Sequence, residues 1–225
     1  MAKVKARRRY DSKLRRQQAS QTRARILDAA ERLFGDRGYA STTVETIAAE
    51  AGVATDTVYA SFASKAGVLH ALLDVRVGGD DSPVALLDRP GPQAVRAQPS
   101  QRRQVAAFAA DVAAILERAR PIDDIMRGAA AADPEIATLR AKMQRTRFEN
   151  TRRLADWLRE KGEFRGGIDR ETAADIIWTL ASPEVHGLLR VGRGWSAERY
   201  VAWLADTLTR TVTTSGGSPR RTPNR

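Results

Sequence analysis

"TVETIAAEAGVATDTVYASF", residues 43–62, decides how the chain is read. Val44, Ile47, Ala48 and Ala51 fall at the spacing of one helical face. After a break at Gly52, Val58 and Phe62 repeat that spacing. Ala48 is small where two helices must cross closely, Gly52 can take a positive φ without a Cβ clash, and Val53 can plug the gap between the helices. The second helix then turns Thr55, Asp56, Thr57 and Tyr59 outward. Two structures share this pattern: an ordinary helical hairpin, and a helix-turn-helix whose second helix enters the major groove of DNA.

Outward from this stretch, nearly every periodic segment predicts a helix. Ile26, Ala30, Leu33 and Phe34 form one apolar stripe, ended by "GDRGY". Thr42 and Glu45 have capping-box spacing at the start of the next helix. Ser64 is placed to cap a fourth helix through Val68, Leu69, Leu72 and Leu73. Residues 78–99, with "GGDDSP" and "RPGPQ", read as a linker, and "VALLDR" as a single helical turn within it. A helix follows from Ser100 to Arg118, and Pro121 opens a short one. Asp133-Pro134-Glu135 then starts a long helix to about Lys161. Asp169, Ser182 and Ser196 start the remaining helices. The predicted fold is all-α, with an N-terminal helix-turn-helix domain over 20–77 and a helical bundle over 100–213. A basic flexible arm over 1–19 and a basic tail over 214–225 flank them.

The 225 residues are 42% hydrophobic, enough to bury a core, and carry a net charge of +11. Ten of the 38 Lys and Arg lie in residues 1–25, opposed only by Asp11. Arg220, Arg221 and Arg225 close the chain without an acid, so the body between is close to neutral. Basic ends of this kind suit a polyanion, because each neutralised phosphate releases counterions. The absence of cysteine excludes disulfides, thiolate metal sites and cysteine nucleophiles and fits a cytoplasmic protein. No membrane span is expected.

The segment "RARILDAAERLFGDRGYASTTVETIAAEAGVATDTVYASFASKAGVL" resembles the N-terminal domain of the tetracycline-repressor (TetR) family. The shared features include Gly38-Tyr39, Thr42-Thr43, Ile47-Ala48, Ala51-Gly52-Val53, Thr57-Val58-Tyr59, Phe62 and Ser64-Lys65. "WTLASPEVHGLLRVGRGWSAERYVAWLADTL" near the C-terminus is similar to one subgroup of that family. The resemblance implies a DNA-binding regulator, usually a repressor, that is a homodimer on a double-stranded palindromic operator and is released by an unidentified small-molecule inducer. The candidate DNA-binding residues are Arg23, Thr42, Thr43, Thr55, Asp56, Thr57, Tyr59 and Lys65, of which the resemblance implies roles for four. Thr43 and Lys65 would meet phosphate, and Thr57 and Tyr59 phosphate or base edges. Several positions depart from the family pattern, among them Ala60-Ser61, where an aromatic-rich end of the recognition helix is common. Ala54 stands where a serine cap is common, with Thr55 a possible substitute. Asp56 replaces a common glycine, and Ala66-Gly67 a common acid.

Asp56 has two readings. A carboxylate in a first helical turn is stabilised by the helix dipole. On a groove-facing helix it can also accept from cytosine N4. Arg7, Arg8 and Arg9 either enter an adjacent minor groove or add nonspecific charge.

For the larger domain the resemblance implies an inducer pocket, with Phe108, Met126, Phe148, Trp157 and Trp178 as large apolar candidates. Ile177, Leu188, Leu189, Trp203, Leu204 and Leu208 are candidates for the dimer interface, on faces that could equally close the monomer core. No enzyme, cofactor or metal is expected. His70 and His186 are far apart in sequence, and no metal spacing, nucleophile elbow or phosphate-binding glycine loop is present. The rival reading is a helical interaction or scaffold protein whose basic tails bind RNA or DNA nonspecifically.

Overall fold

A computed structural model of the chain describes residues 2–214. For residues 2–14 and Arg16 it describes the backbone alone, while Met1 and residues 215–225 lie outside the described residues. All regular elements described are helical: α1 (Ala2–Arg37), α2 (Val44–Ala51), α3 (Thr55–Phe62), α4 (Lys65–Gly78), a 3-10 turn (Leu86–Asp88), α5 (Pro90–Arg96), α6 (Gln101–Ala129), α7 (Pro134–Lys161), α8 (Arg170–Leu180), α9 (Pro183–Gly187) with a π-helical turn (Leu188–Gly192), and α10 (Ala197–Val212). The expected all-α architecture is the observed one.

The starts of the later helices follow the chemistry of their caps. Asp169 Oδ1 accepts from the Thr172 amide at 2.8 Å, Ser182 Oγ from Val185 at 3.1 Å, and Ser196 Oγ from Arg199 at 3.2 Å. Asp133 Oδ1 accepts from Glu135 at 2.9 Å and Ile136 at 3.3 Å, starting α7 where the Asp-Pro-Glu signal put it. The α2 cap differs from expectation. The reciprocal pair is Thr43 and Thr46, at 3.2 and 3.0 Å, rather than Thr42 and Glu45. Thr42 is fully buried, and its hydroxyl donates to Leu33 O at 3.2 Å and Gly38 O at 2.8 Å. It closes the α1–α2 loop and is removed from the candidate DNA contacts.

Other segments also differ from the sequence reading. Residues 2–19, expected as a flexible arm, continue α1, while the Arg7–Arg9 reading and the tail beyond Thr214 fall outside the described side chains. Pro121 does not open a new helix; it lies inside α6. The linker expected over 78–99 is built. Arg89 donates to Gly78 O at 2.7 Å, Ser82 O at 2.9 Å and Val84 O at 3.2 Å, and pairs with Asp80 at 2.8 Å. Pro90 then begins α5, which buries Pro92 and Val95.

The chain divides into two compact units, 1–75 with 122–140, and 76–121 with 141–225. Residues 122–140, expected within the 100–213 bundle, thus cluster with the N-terminal unit. In that first unit Ile26, Ala30, Leu33 and Phe34 of α1 are buried, as are Ile47 and Ala48 of α2 and Val58 and Phe62 of α3. Tyr39 Oη donates to Asp133 Oδ2 at 3.3 Å and Ser64 Oγ to Glu135 Oε1 at 2.9 Å, tying the head of α7 into this unit.

The second unit is centred on Val105, Ala109, Leu116, Leu154, Leu158, Ile177, Tyr200, Leu204 and Leu208. Gln101 is buried there, and its amide donates to Leu158 O, Gly162 O and Glu163 O at 3.0, 2.9 and 3.1 Å. Leu158 is among the last carbonyls of α7, and Gly162 and Glu163 follow directly after its end, so the amide gathers the chain where the helix stops. His186 is buried edge-on against Tyr200, with ring centroids 4.8 Å apart, and lies 3.3 Å from Glu117. Burial, more than any neighbouring charge, holds the imidazole below its usual pKa.

Two glycines stand where a side chain would be strained or excluded. Gly52 ends α2 in the left-handed region, with φ at 65° and its amide bonded to Ala48 O and Ala49 O. Gly67, in the first turn of α4, leaves room for the end of α3. A Cβ there would collide with the Phe62 carbonyl oxygen, a backbone atom. Gly67→Ala is expected to lower stability by about 1–3 kcal/mol by forcing α3 and α4 apart, read as a lower urea midpoint. Leu204→Ala is expected to cost about 2–5 kcal/mol and to leave the oligomeric state unchanged in sedimentation, because the side chain is wholly inside its own bundle.

Candidate nucleic-acid interface

The outer face of the two-helix element begins at Thr43. Its Oγ1 accepts from the Thr46 amide, and its hydroxyl bonds the exposed Glu45 carboxylate, which the Glu45 amide and this hydroxyl together hold below its usual pKa. Thr43 is exposed at the start of α2. α3 opens at Ala54, which offers no side-chain cap, and Thr55 does not replace the missing serine: it is the first helical residue. Val58 and Phe62 point inward. Asp56 is exposed, as is Tyr59 at 45%, and Ala60 and Ser61 extend the outer face with small side chains. Thr55 and Thr57 flank that face, half-buried. Ser61 Oγ is engaged with Thr57 O at 2.8 Å.

The far end of α3 is fixed tightly. Ala63 has φ 64° and ψ −38°, and the Ser64 amide donates back to Phe62 O at 2.8 Å, an i to i+2 turn of the rare γ kind. Ser64 Oγ accepts from the Gly67 amide at 3.0 Å and so starts α4 despite the missing acid. Lys65 Nζ donates to Tyr39 O and Thr42 O, each at 2.9 Å, and stands 4.1 Å from the Tyr39 ring centroid. Two of its three donors therefore hold the α1–α2 loop, which leaves one for a phosphate. The Tyr39 hydroxyl is pushed far above its usual pKa by burial, then by the Asp133 and Glu135 carboxylates. The Arg23 guanidinium lies over Phe62, 4.5 Å from the ring centroid, which anchors the N-terminal side of the element to the end of α3. Of the eight expected DNA contacts, Thr43, Asp56 and Tyr59 are thus exposed, Arg23, Thr55, Thr57 and Lys65 are half-buried beside them, and Thr42 is excluded by burial. Sequence reasoning missed the Ser64–Glu135 and Tyr39–Asp133 bonds, which join residues too distant in sequence to leave a local signal.

The expected pocket residues do not form one group. Phe148 and Trp178 meet edge to face at 6.3 Å, with the Arg147 guanidinium 4.4 Å from the Trp178 ring centroid. Phe108 is partly buried against the second core, and Trp157 belongs to that core. Met126 is fully buried but lies in the first unit, because α6 passes from one unit to the other at Pro121. A hollow of about 380 Å³ in the second unit is lined by Arg159, Phe164, Ile168 and Arg170 among others, and by none of these candidates. The expected dimer residues also divide. Ile177, Leu204 and Leu208 occupy inward positions of α8 and α10 and close the monomer core. Leu189 and Trp203 are partly buried, while Leu188 is 67% exposed and, beside it, Val191 64%. Among the described residues no group of His, Asp and Glu could hold a metal ion, and no helix is long and apolar enough to cross a membrane.

The family model for bacterial regulatory proteins of the tetR family matches residues 26–72. The HTH-type transcriptional regulator TtgR of Pseudomonas putida is 48% identical over 59 residues, 26% of this chain and 28% of that protein. The match thus spans little more than a quarter of that relative. Two solved structures are similar over almost their whole length. NalD, the secondary repressor of the MexAB-OprM multidrug efflux pump in Pseudomonas aeruginosa, has a TM-score of 0.66 and 24% identity, covering 89% of this chain and 100% of its own. SmeT of Stenotrophomonas maltophilia, in complex with triclosan, has a TM-score of 0.65 and 25% identity, covering 90% and 99%. Residues 26–72 are thus a DNA-binding domain of the tetR type, in a chain whose all-α fold is similar to those of NalD and SmeT.

Proposed function

We propose that the protein is a sequence-specific DNA-binding transcriptional regulator, a repressor that leaves a palindromic operator when a small apolar or aromatic molecule binds. The observation that carries this reading is the outer face of α3. Its apolar residues Val58 and Phe62 are buried, while Asp56 and Tyr59 remain exposed on a helix clamped at both ends. Such a helix can enter a major groove as a rigid body, with Thr43 at the flanking phosphates. TtgR, NalD and SmeT are regulators or repressors by name, and such regulators are not enzymes.

Two copies related by a two-fold axis would present two recognition helices to successive major grooves. The exposed Leu188 and Val191, with the partly buried Leu189 and Trp203, would build that contact, since Ile177, Leu204 and Leu208 are used within the monomer. The effector would lodge in the second unit near the Phe148–Trp178 pair, whose aromatic edges and faces suit an aromatic or apolar molecule. SmeT's complex with triclosan supports an effector of small-molecule size. Release follows by linkage: a ligand that favours one spacing of the two recognition helices disfavours the spacing that matches DNA.

A footprint on the DNA upstream of the protein's own coding sequence, made with residues 1–15 and 215–225 removed, should still show a two-fold symmetric protected site. Sequence-independent binding that vanishes with the tails would instead support the scaffold reading. Removing residues 1–15, which carry seven Lys and Arg, should weaken binding and flatten its dependence on salt. Leu188→Arg combined with Val191→Arg should yield a monomer in sedimentation and abolish the footprint while leaving the helical circular dichroism intact.

A further inference from the structure

Resting on the DNA-binding reading above, we propose that Asp56 sets base preference. Its carboxylate accepts from the exocyclic amino group of a cytosine in the major groove, once in each half of a two-fold site.

The structure separates Asp56 from the aspartates that serve the helices. Where this chain caps with aspartate, the residue precedes the helix and its carboxylate takes backbone N–H groups. Asp169 does so at 2.8 Å before α8, and Asp133 at 2.9 and 3.3 Å before α7. Asp56 is the second residue within α3, and the cap position before it holds Ala54, without a side-chain bond. The Asp56 carboxylate has no hydrogen bond or ion pair with any described residue, and it is exposed on the same face as Tyr59. The fold gives the carboxylate the field of the α3 N-terminus but no hydrogen-bonding partner.

An ionised carboxylate only accepts hydrogen bonds. In the major groove cytosine presents its N4 amino group, whereas adenine sets an N7 acceptor beside its N6 donor, and guanine and thymine present acceptors at O6, N7 and O4. A carboxylate is therefore attracted by cytosine and repelled by the acceptor edges. Near phosphates the same charge opposes nonspecific binding, so Asp56 raises selectivity while costing overall affinity. The small side chains of Ala60 and Ser61, next along the exposed face, let the first turn approach the groove floor.

The test is selection from randomised duplexes by full-length protein, comparing wild type with Asp56→Ala and Asp56→Asn. Wild type is expected to select a symmetric motif with a fixed cytosine in each half. Asp56→Ala should lose the preference at that position alone, bind random duplex more tightly, and show a specific-to-nonspecific ratio reduced roughly ten-fold or more. Asp56→Asn, nearly isosteric, should shift the preference to adenine, whose N6 and N7 an amide can engage together. If both variants return the wild-type motif at every position, the proposal is overturned and the regulator reading stands. If wild type itself selects no motif, the regulator reading falls and takes the proposal with it.

Discussion

The carbonyl of Phe62 occupies the space that a side chain at residue 67 would need. The rest of the DNA-binding unit depends on that close approach. It brings the end of α3 against the first turn of α4, and the reversal at Ala63 admits no slack, since the Ser64 amide bonds back across a single residue. A non-glycine residue at positive φ costs about 1–2 kcal/mol, and Ala63 is the only such residue described. The turn persists because its surroundings determine it from several sides. Phe62 is buried under the Arg23 guanidinium, Ser64 bonds Glu135 and caps α4, and Lys65 reaches back to the α1–α2 loop. At the other end, Gly52 in the left-handed region sets the angle between α2 and α3. A helix of eight residues, too short to be stable alone, is thereby held rigid enough to present a fixed pattern of hydrogen-bonding groups.

Polar bonds direct this unit more than they stabilise it. The exposed ion pairs, such as Arg32–Glu50 at 2.9 Å and Arg210–Asp206 at 2.9 Å, are of a kind worth little individually. The stabilising contribution is apolar, from the faces of α1, α2 and α3 and from the separate core of the second unit. The polar contacts that matter to architecture are the few that cross long stretches of sequence. Tyr39 with Asp133 and Ser64 with Glu135 explain why residues 122–140 group with the N-terminal helices, and Gln101 explains how the end of α7 is satisfied inside its bundle.

The helix-turn-helix was legible in the sequence because its signals are local: a stripe at helical spacing, a glycine break, a second stripe. Caps written as Asp-Pro-Glu or as a lone serine before an apolar run were legible for the same reason. The α2 cap was misplaced by one residue because Thr42 and Thr43 are adjacent threonines, each with a candidate partner three residues on. Only the tertiary engagement of Thr42 with Leu33 O and Gly38 O decides between them. The ordered segment at 78–96 was hidden because prolines and glycines signal a turn equally well whether or not an arginine laces it together, as Arg89 does. Leu188, in the π-helical turn after α9, sits in an apolar run with Leu189 and Val191, as Ile177 does with Ile176 on α8, so local pattern could not tell Ile177, which faces inward, from Leu188, which does not. Met126 was misassigned because its helix was read as broken at Pro121, when it runs on into the other unit.

That uninterrupted passage has a mechanical consequence. Pro121 has no amide hydrogen, so the carbonyl of Glu117 loses the rung it would receive from the residue four places on. The gap falls where the chain leaves one compact unit for the other. α6 is therefore a strut with a notch, its backbone ladder one rung short at Pro121 and easier to bend there than along the rest of its length.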